Sequence, residues 1–103
     1  MKIVWSELAK IQLKEIYQYH KEVASLKVAK SIKIKIFKKT KKLVSHPEIG
    51  QREESKLIAP LHYRYLVSGS YKIVYKIFME DKIVLVAAVF DTRQNPDDLS
   101  VGF

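Results

Sequence analysis

His62-Tyr-Arg-Tyr-Leu-Val-Ser-Gly-Ser-Tyr-Lys-Ile-Val-Tyr-Lys-Ile77 is the stretch that decides the fold. β-Branched and aromatic residues crowd both sides of Ser68-Gly-Ser70. That pattern predicts two antiparallel strands, Leu61–Val67 and Tyr71–Phe78, joined by a tight turn. In the second strand Tyr71, Ile73, Tyr75 and Ile77 share one face, and Lys72, Val74, Lys76 and Phe78 the other. Met79-Glu-Asp81 is again short enough to force an antiparallel neighbour, Lys82 to Phe90. This third strand is apolar on both faces, which suits a central position. A polar loop, Asp91-Thr-Arg-Gln-Asn-Pro96, follows it and carries Arg93.

Upstream, Lys2-Ile-Val-Trp5 reads as a short opening strand. Ser6 is a plausible N-cap, and Ala9, Leu13, Ile16, His20 and Val23 recur at helical spacing, so a first helix is expected over residues 6–23. Ser25 caps a second, whose stripe is Val28, Ala29, Ile32, Ile36 and Leu43 and which ends before Pro47. A connection of one or two residues makes the helices an antiparallel hairpin. Pro47-Glu-Ile-Gly50 reads as a turn, and residues 51–60 as a polar connection. The sum is one α+β domain over residues 1–103, a two-layer β-α-α-β-β-β fold with the helical hairpin packed on an antiparallel sheet.

Composition narrows the function classes. With 48% hydrophobic residues the chain can bury one core. No run of roughly 18 apolar residues offers a transmembrane helix. Met1-Lys-Ile-Val-Trp5 reaches the polar Ser6-Glu7 pair too soon for a signal-peptide core, and there is no Cys. The expectation is a cytoplasmic protein without a membrane partner. His20, His46 and His62 are scattered and no carboxylates cluster, so no metal site is expected. Nothing calls for a cofactor or a small-molecule substrate. His20, on the apolar stripe of its helix, reads as a hydrogen-bonded boundary residue; Glu53-Glu54 reads as solvated surface.

Charge is more telling. Lys and Arg number 19 against 11 Asp and Glu, for a net of +8. Residues 27–42 hold eight lysines and no acid, so the whole excess sits in that one segment. Such a concentration suits a polyanion or an acidic protein, or serves simply as a solvated helix face. At about 100° per residue Ile34 falls inside the lysine arc and Phe37 at its border. Flanked by Lys30 and Lys41, these two fit an amphipathic acidic peptide better than bare phosphate. On the sheet, Lys72 and Lys76 are expected on the face away from the helices. Arg64, out of phase with Tyr63 and Tyr65, is expected to join them, with Arg93 at the rim. Cations beside exposed rings are what phosphate or RNA recognition needs, although strand lysines also guard a sheet against aggregation.

Arg64 and Leu66, the Tyr71-Lys-Ile-Val-Tyr75 strand and the Val89-Phe-Asp-Thr-Arg-Gln-Asn-Pro96 ending together resemble the RelE/ParE family of bacterial type II toxins. Trp5-Ser6, Ala9, Ala29 and Pro47–Gly50 extend the resemblance over nearly the whole chain. It implies a growth-arresting, plasmid-stabilising toxin held by a cognate antitoxin; the apolar pair on the cationic helix, Ile34 and Phe37 with Lys30 and Lys41, is then where an acidic antitoxin tail is expected to bind. In ribosome-dependent members basic residues on the open face bind the scissile phosphate. Lys72 stands where an Arg is usual, and Arg93 matches the basic position after the last strand. Active ribonucleases of the family often place a His or Tyr near the C-terminus; residues 91–103 contain neither. That departure points to the ParE-like branch, which poisons DNA gyrase by binding. The alternative is an mRNA endonuclease on the ribosome using Arg64, Lys72 and Arg93, and a third reading is a small nucleic-acid-binding module.

Overall fold

The computed structural model describes residues 1–52 and 62–93. Strand β1 (Lys2–Trp5) leads into helices α1 (Glu7–Val23) and α2 (Leu26–Lys41), and a single 3-10 turn, Lys42–Val44, continues α2. Strands β2 (Gln51–Arg52), β3 (Arg64–Ser68), β4 (Tyr71–Phe78) and β5 (Ile83–Asp91) complete one sheet in the order β1-β5-β4-β3-β2. The α+β fold is as expected, with β5 in an interior position between β1 and β4. Two features refine it. β1 lies parallel to β5, Trp5 opposite Val86, which makes the sheet mixed. Gln51 and Arg52, expected in a polar connection, pair with Tyr65 and Arg64 as a two-residue edge strand.

Both helices start where a serine can satisfy orphan amides. The Ser6 hydroxyl accepts from the Ala9 amide at 3.0 Å, and that of Ser25 from Val28 at 3.1 Å. Ser6 has a second task. Its hydroxyl donates to the Ala87 carbonyl at 2.8 Å, at a bulge where Val74 opposes Ala88 and Tyr75 opposes Val86. β1 has ended by this point, so the far half of β5 lacks a neighbour on that side. Gln12 of α1 fills in, its amide oxygen accepting from the Val89 amide at 2.7 Å.

The helix-facing core contains Ala9, Leu13 and Ile36 against Tyr71, Ile73, Val86 and Val89. Leu43, Tyr75 and Val84 continue it beneath the 3-10 turn. Tyr71, Ile73 and Tyr75 therefore occupy the covered face, as their alternation predicts. Each fully buried side chain of this kind contributes about 1.5–3 kcal/mol. The second face is more closed than expected: Val74, Ala88 and Phe90 are buried there, with Leu8, Tyr63 and Tyr65 packed on them. The β3–β4 hairpin turns on Gly69, whose φ of 60° suits the first position of a II′ turn.

Candidate functional site

The four cations expected to gather around a phosphate are not brought together. Lys72 and Lys76 share the second face, where aromatic rings lie beside them. The Lys72 ammonium lies 4.0 Å from the Tyr65 ring centroid; that of Lys76 lies 5.8 Å from Tyr63 and 5.3 Å from Phe78. Such contacts hold each ammonium against a ring face. Burial pushes the Tyr63 phenol above its ordinary value. Tyr65 donates to the Gln51 amide oxygen at 2.8 Å, tying the aromatic row to the edge strand.

Arg64 lies on the opposite face, which corrects the expectation that it joins the two lysines. The two-residue turn pairs Ser68 with Tyr71, and this register carries through to Arg64 opposite Tyr75 on the helix-covered face. There its guanidinium donates to the carbonyls of Gly50 at 3.0 Å and Glu48 at 3.3 Å. Tyr75 holds the same turn from beneath: its hydroxyl donates to the Pro47 carbonyl at 2.7 Å and accepts from the Gly50 amide at 2.9 Å. Burial raises the Tyr75 phenol, against a lowering by its Gly50 hydrogen bond. A Cβ on Gly50 would lie 2.7 Å from the Tyr65 carbonyl, hence the glycine. Arg64 and Pro47–Gly50 thus form a structural clamp.

Arg93 reaches the rim, as expected, but is held by Asp91 through bonds of 2.9 and 2.6 Å. This pairing holds the exposed Asp91 carboxyl down at about 2 and raises the guanidinium. Both line a polar cleft of about 560 Å³ between α1 and the ends of β4 and β5. Within it His20 Nε2 and the Tyr71 hydroxyl share a 2.6 Å hydrogen bond, so His20 is the bonded boundary residue its position predicts. Burial, then the Asp91 carboxylate, raises the Tyr71 phenol. Sequence spacing missed this pairing, because 51 residues separate the two partners.

An apolar depression lies between the helices. It is a groove of about 440 Å³ lined by Leu13, the rings of Trp5, Tyr17 and Phe37, and the lysines Lys10, Lys14 and Lys33. Trp5 and Phe37 pack with centroids 5.4 Å apart, and the Lys33 ammonium lies 5.3 Å from the centre of Tyr17. Phe37, 41% exposed, is one wall, as its place on the helix suggests. Ile34, 52% exposed, and Lys30 and Lys41 do not line the groove but continue from Phe37 along the outer surface of α2. The missed members are Trp5 and Tyr17, supplied by β1 and α1. Among the described residues no His, Cys, Asp and Glu group could hold a metal ion, and no helix is long and apolar enough to cross a membrane.

A helical hairpin on a mixed sheet, with a lysine-rimmed aromatic groove beside the edge strand, defines a small basic α+β domain. A family model described as the ParE toxin of the type II toxin–antitoxin system parDE matches residues 3–96, and the chain belongs to that family. Its fold is also that of a solved structure described as the chromosomal ParDE toxin–antitoxin system from P. aeruginosa. The two superpose with a TM-score of 0.72 at 17% identity, over 88% of this chain and 95% of the other. Comparison with curated proteins gives no match.

Proposed function

We propose that this ParE-family toxin acts in the bacterial cytoplasm by binding DNA gyrase without catalysis, and that an acidic antitoxin segment seated in the aromatic groove holds it inactive. The observation that carries the antitoxin half is the groove itself. Three rings around Leu13 offer apolar area worth about 25 cal/mol per Å² on burial, and Lys10, Lys14 and Lys33 steer an anionic segment into register. Trp5 belongs to the edge strand β1, so a chain crossing the hairpin also borders an open sheet edge.

Family membership supports the gyrase half, together with the internal use of Arg64 and Arg93. Lys76, beside the rings of Tyr63 and Phe78, is the candidate sheet cation for target contact. The alternative, a ribosome-dependent mRNA endonuclease, has its best support in the His20–Tyr71 cleft, where a hydrogen-bonded pair able to exchange a proton lies in the same cleft as Arg93. Asp91 weighs against it, because its carboxylate occupies the guanidinium a phosphate would need.

The test is a supercoiling assay with purified gyrase, relaxed plasmid and this protein, followed by addition of an acidic amphipathic peptide from the neighbouring gene. Inhibition relieved by the peptide is expected. Full supercoiling at a large molar excess of folded protein would remove gyrase as the target.

A further inference from the structure

α2 has two working flanks, and the groove above uses only one. At about 100° per residue, Lys35, Lys38, Lys39 and Lys42 lie nearly opposite the Lys33–Phe37 side of the helix. These four lysines, with Val67, Ser68 and Gly69 of the β3–β4 hairpin, line a separate shallow groove of about 370 Å³. We propose that this flank grips the phosphate backbone of duplex DNA without reading its sequence.

Charge comes first. None of the four lysines forms an ion pair with an acid among the described residues, and no acid lines the groove. Lys35 to Lys42 spans seven helical rises, about 10 Å, which matches roughly three nucleotide steps along one strand of a duplex. Lysines deliver point charges to phosphates and lack the planar fork that reads guanine edges, so binding is indifferent to sequence. No aromatic ring lines this groove, which disfavours single strands, whose unpaired bases need a stacking platform. The rings sit instead in the α1–α2 groove and on the Lys72–Lys76 face. At the hairpin tip a Cβ on Gly69 would meet no atom of the described residues within 4 Å. The choice of DNA over duplex RNA rests on the gyrase reading, because gyrase works on duplex DNA.

The experiment needs no gyrase, so its failure is separable from failure of that reading. Fluorescence anisotropy follows binding of a labelled 20-base-pair DNA of arbitrary sequence, and of a duplex RNA of the same sequence, over a range of salt. The proteins are wild type, the flank variant Lys35→Gln/Lys38→Gln/Lys39→Gln/Lys42→Gln, and a charge-matched control, Lys2→Gln/Lys21→Gln/Lys27→Gln/Lys82→Gln. Thermal unfolding verifies that all three are folded. For wild type we expect DNA binding that weakens steeply with salt. In the flank variant the log–log slope should fall by about 3–4, at nearly one per lysine, and affinity by more than about tenfold near 0.1 M salt. The control should stay within about threefold of wild type. Equal losses in both variants would reduce the effect to net charge and overturn the assignment. Flank-dependent preference for the RNA duplex would overturn the choice of DNA.

Discussion

The strand cations and the helix cations differ in what their charges meet. Arg64 is bound to two carbonyls, Arg93 to Asp91, and Lys72 and Lys76 lie over tyrosine rings. Along α2 the lysines have no acidic partner among the described residues, and only Lys33 sits over rings, those of Tyr17 and Phe37. The difference is between charge used to hold the molecule together and charge left available for something else. A basic residue in a family motif is therefore not by itself a site residue. Arg64 serves here to clamp the Pro47–Gly50 turn.

The sharpest way to break this distinction is through the clamp. Tyr75→Phe removes a donor and an acceptor and strands the Pro47 carbonyl and Gly50 amide. A loss of about 2–3 kcal/mol is expected, roughly a 10–20 °C fall in melting temperature for a domain of this size. Gly50→Ala should cost about 1–3 kcal/mol by overpacking against Tyr75 and the Tyr65 carbonyl. If Tyr75→Phe melts like wild type in denaturant and calorimetry, the turn is not held from beneath.

Next in size is the helix side. Ile34→Asp with Phe37→Asp should weaken the antitoxin peptide by about 2 kcal/mol or more, while reversing the single rim charge Lys33→Glu should cost under about 1 kcal/mol and act mainly on association rate. Within the double change Phe37 should dominate, because it alone lines the groove. Calorimetric titration separates the cases, and unchanged affinity in the double variant would take α2 out of the interface.

The smallest effect belongs to Arg93. Arg93→Ala should leave the melting temperature essentially unchanged, as expected for a solvent-screened pair, yet raise the Asp91 titration from about 2 only partway to the ordinary carboxylate range, because the backbone amide of residue 93 still donates to the carboxylate. Because the folded value lies below the unfolded one, whatever the pair contributes is complete above about pH 4 and is lost as pH falls towards 2. Carboxyl NMR titration reads the shift directly; a midpoint that stays put would show that another group depresses Asp91.

Much of the fold was legible in the residues, because helical and strand periods are local properties. Ser6 and Ser25 mark both helix starts, and the two-sided apolarity of Ile83–Phe90 marks an interior strand. β1 carries no turn linking it to β5, so its parallel pairing was not readable, and a strand of two residues such as β2 is too short to show a period. The face of Arg64 was readable but misread. Fixing the hairpin at Gly69 and counting back from Ser68–Tyr71 puts Arg64 beside Tyr75, on the face already assigned to the helices. The aromatic groove was half legible. Phe37 announces itself on a lysine-rich helix, whereas Trp5 and Tyr17 join it only through packing of β1 and α1. Glu53, Glu54 and residues 94–103 lie outside the described residues.

The cations of the strand region are proposed to hold structure or face a target by contact, and not to assemble around a phosphate and cut RNA. Primer extension on mRNA from translating ribosomes exposed to the purified protein tests this proposal most directly. Full-length extension products are expected at protein concentrations that block gyrase supercoiling. Cuts within A-site codons that vanish in Lys72→Ala and Arg93→Ala, both folded, would contradict it.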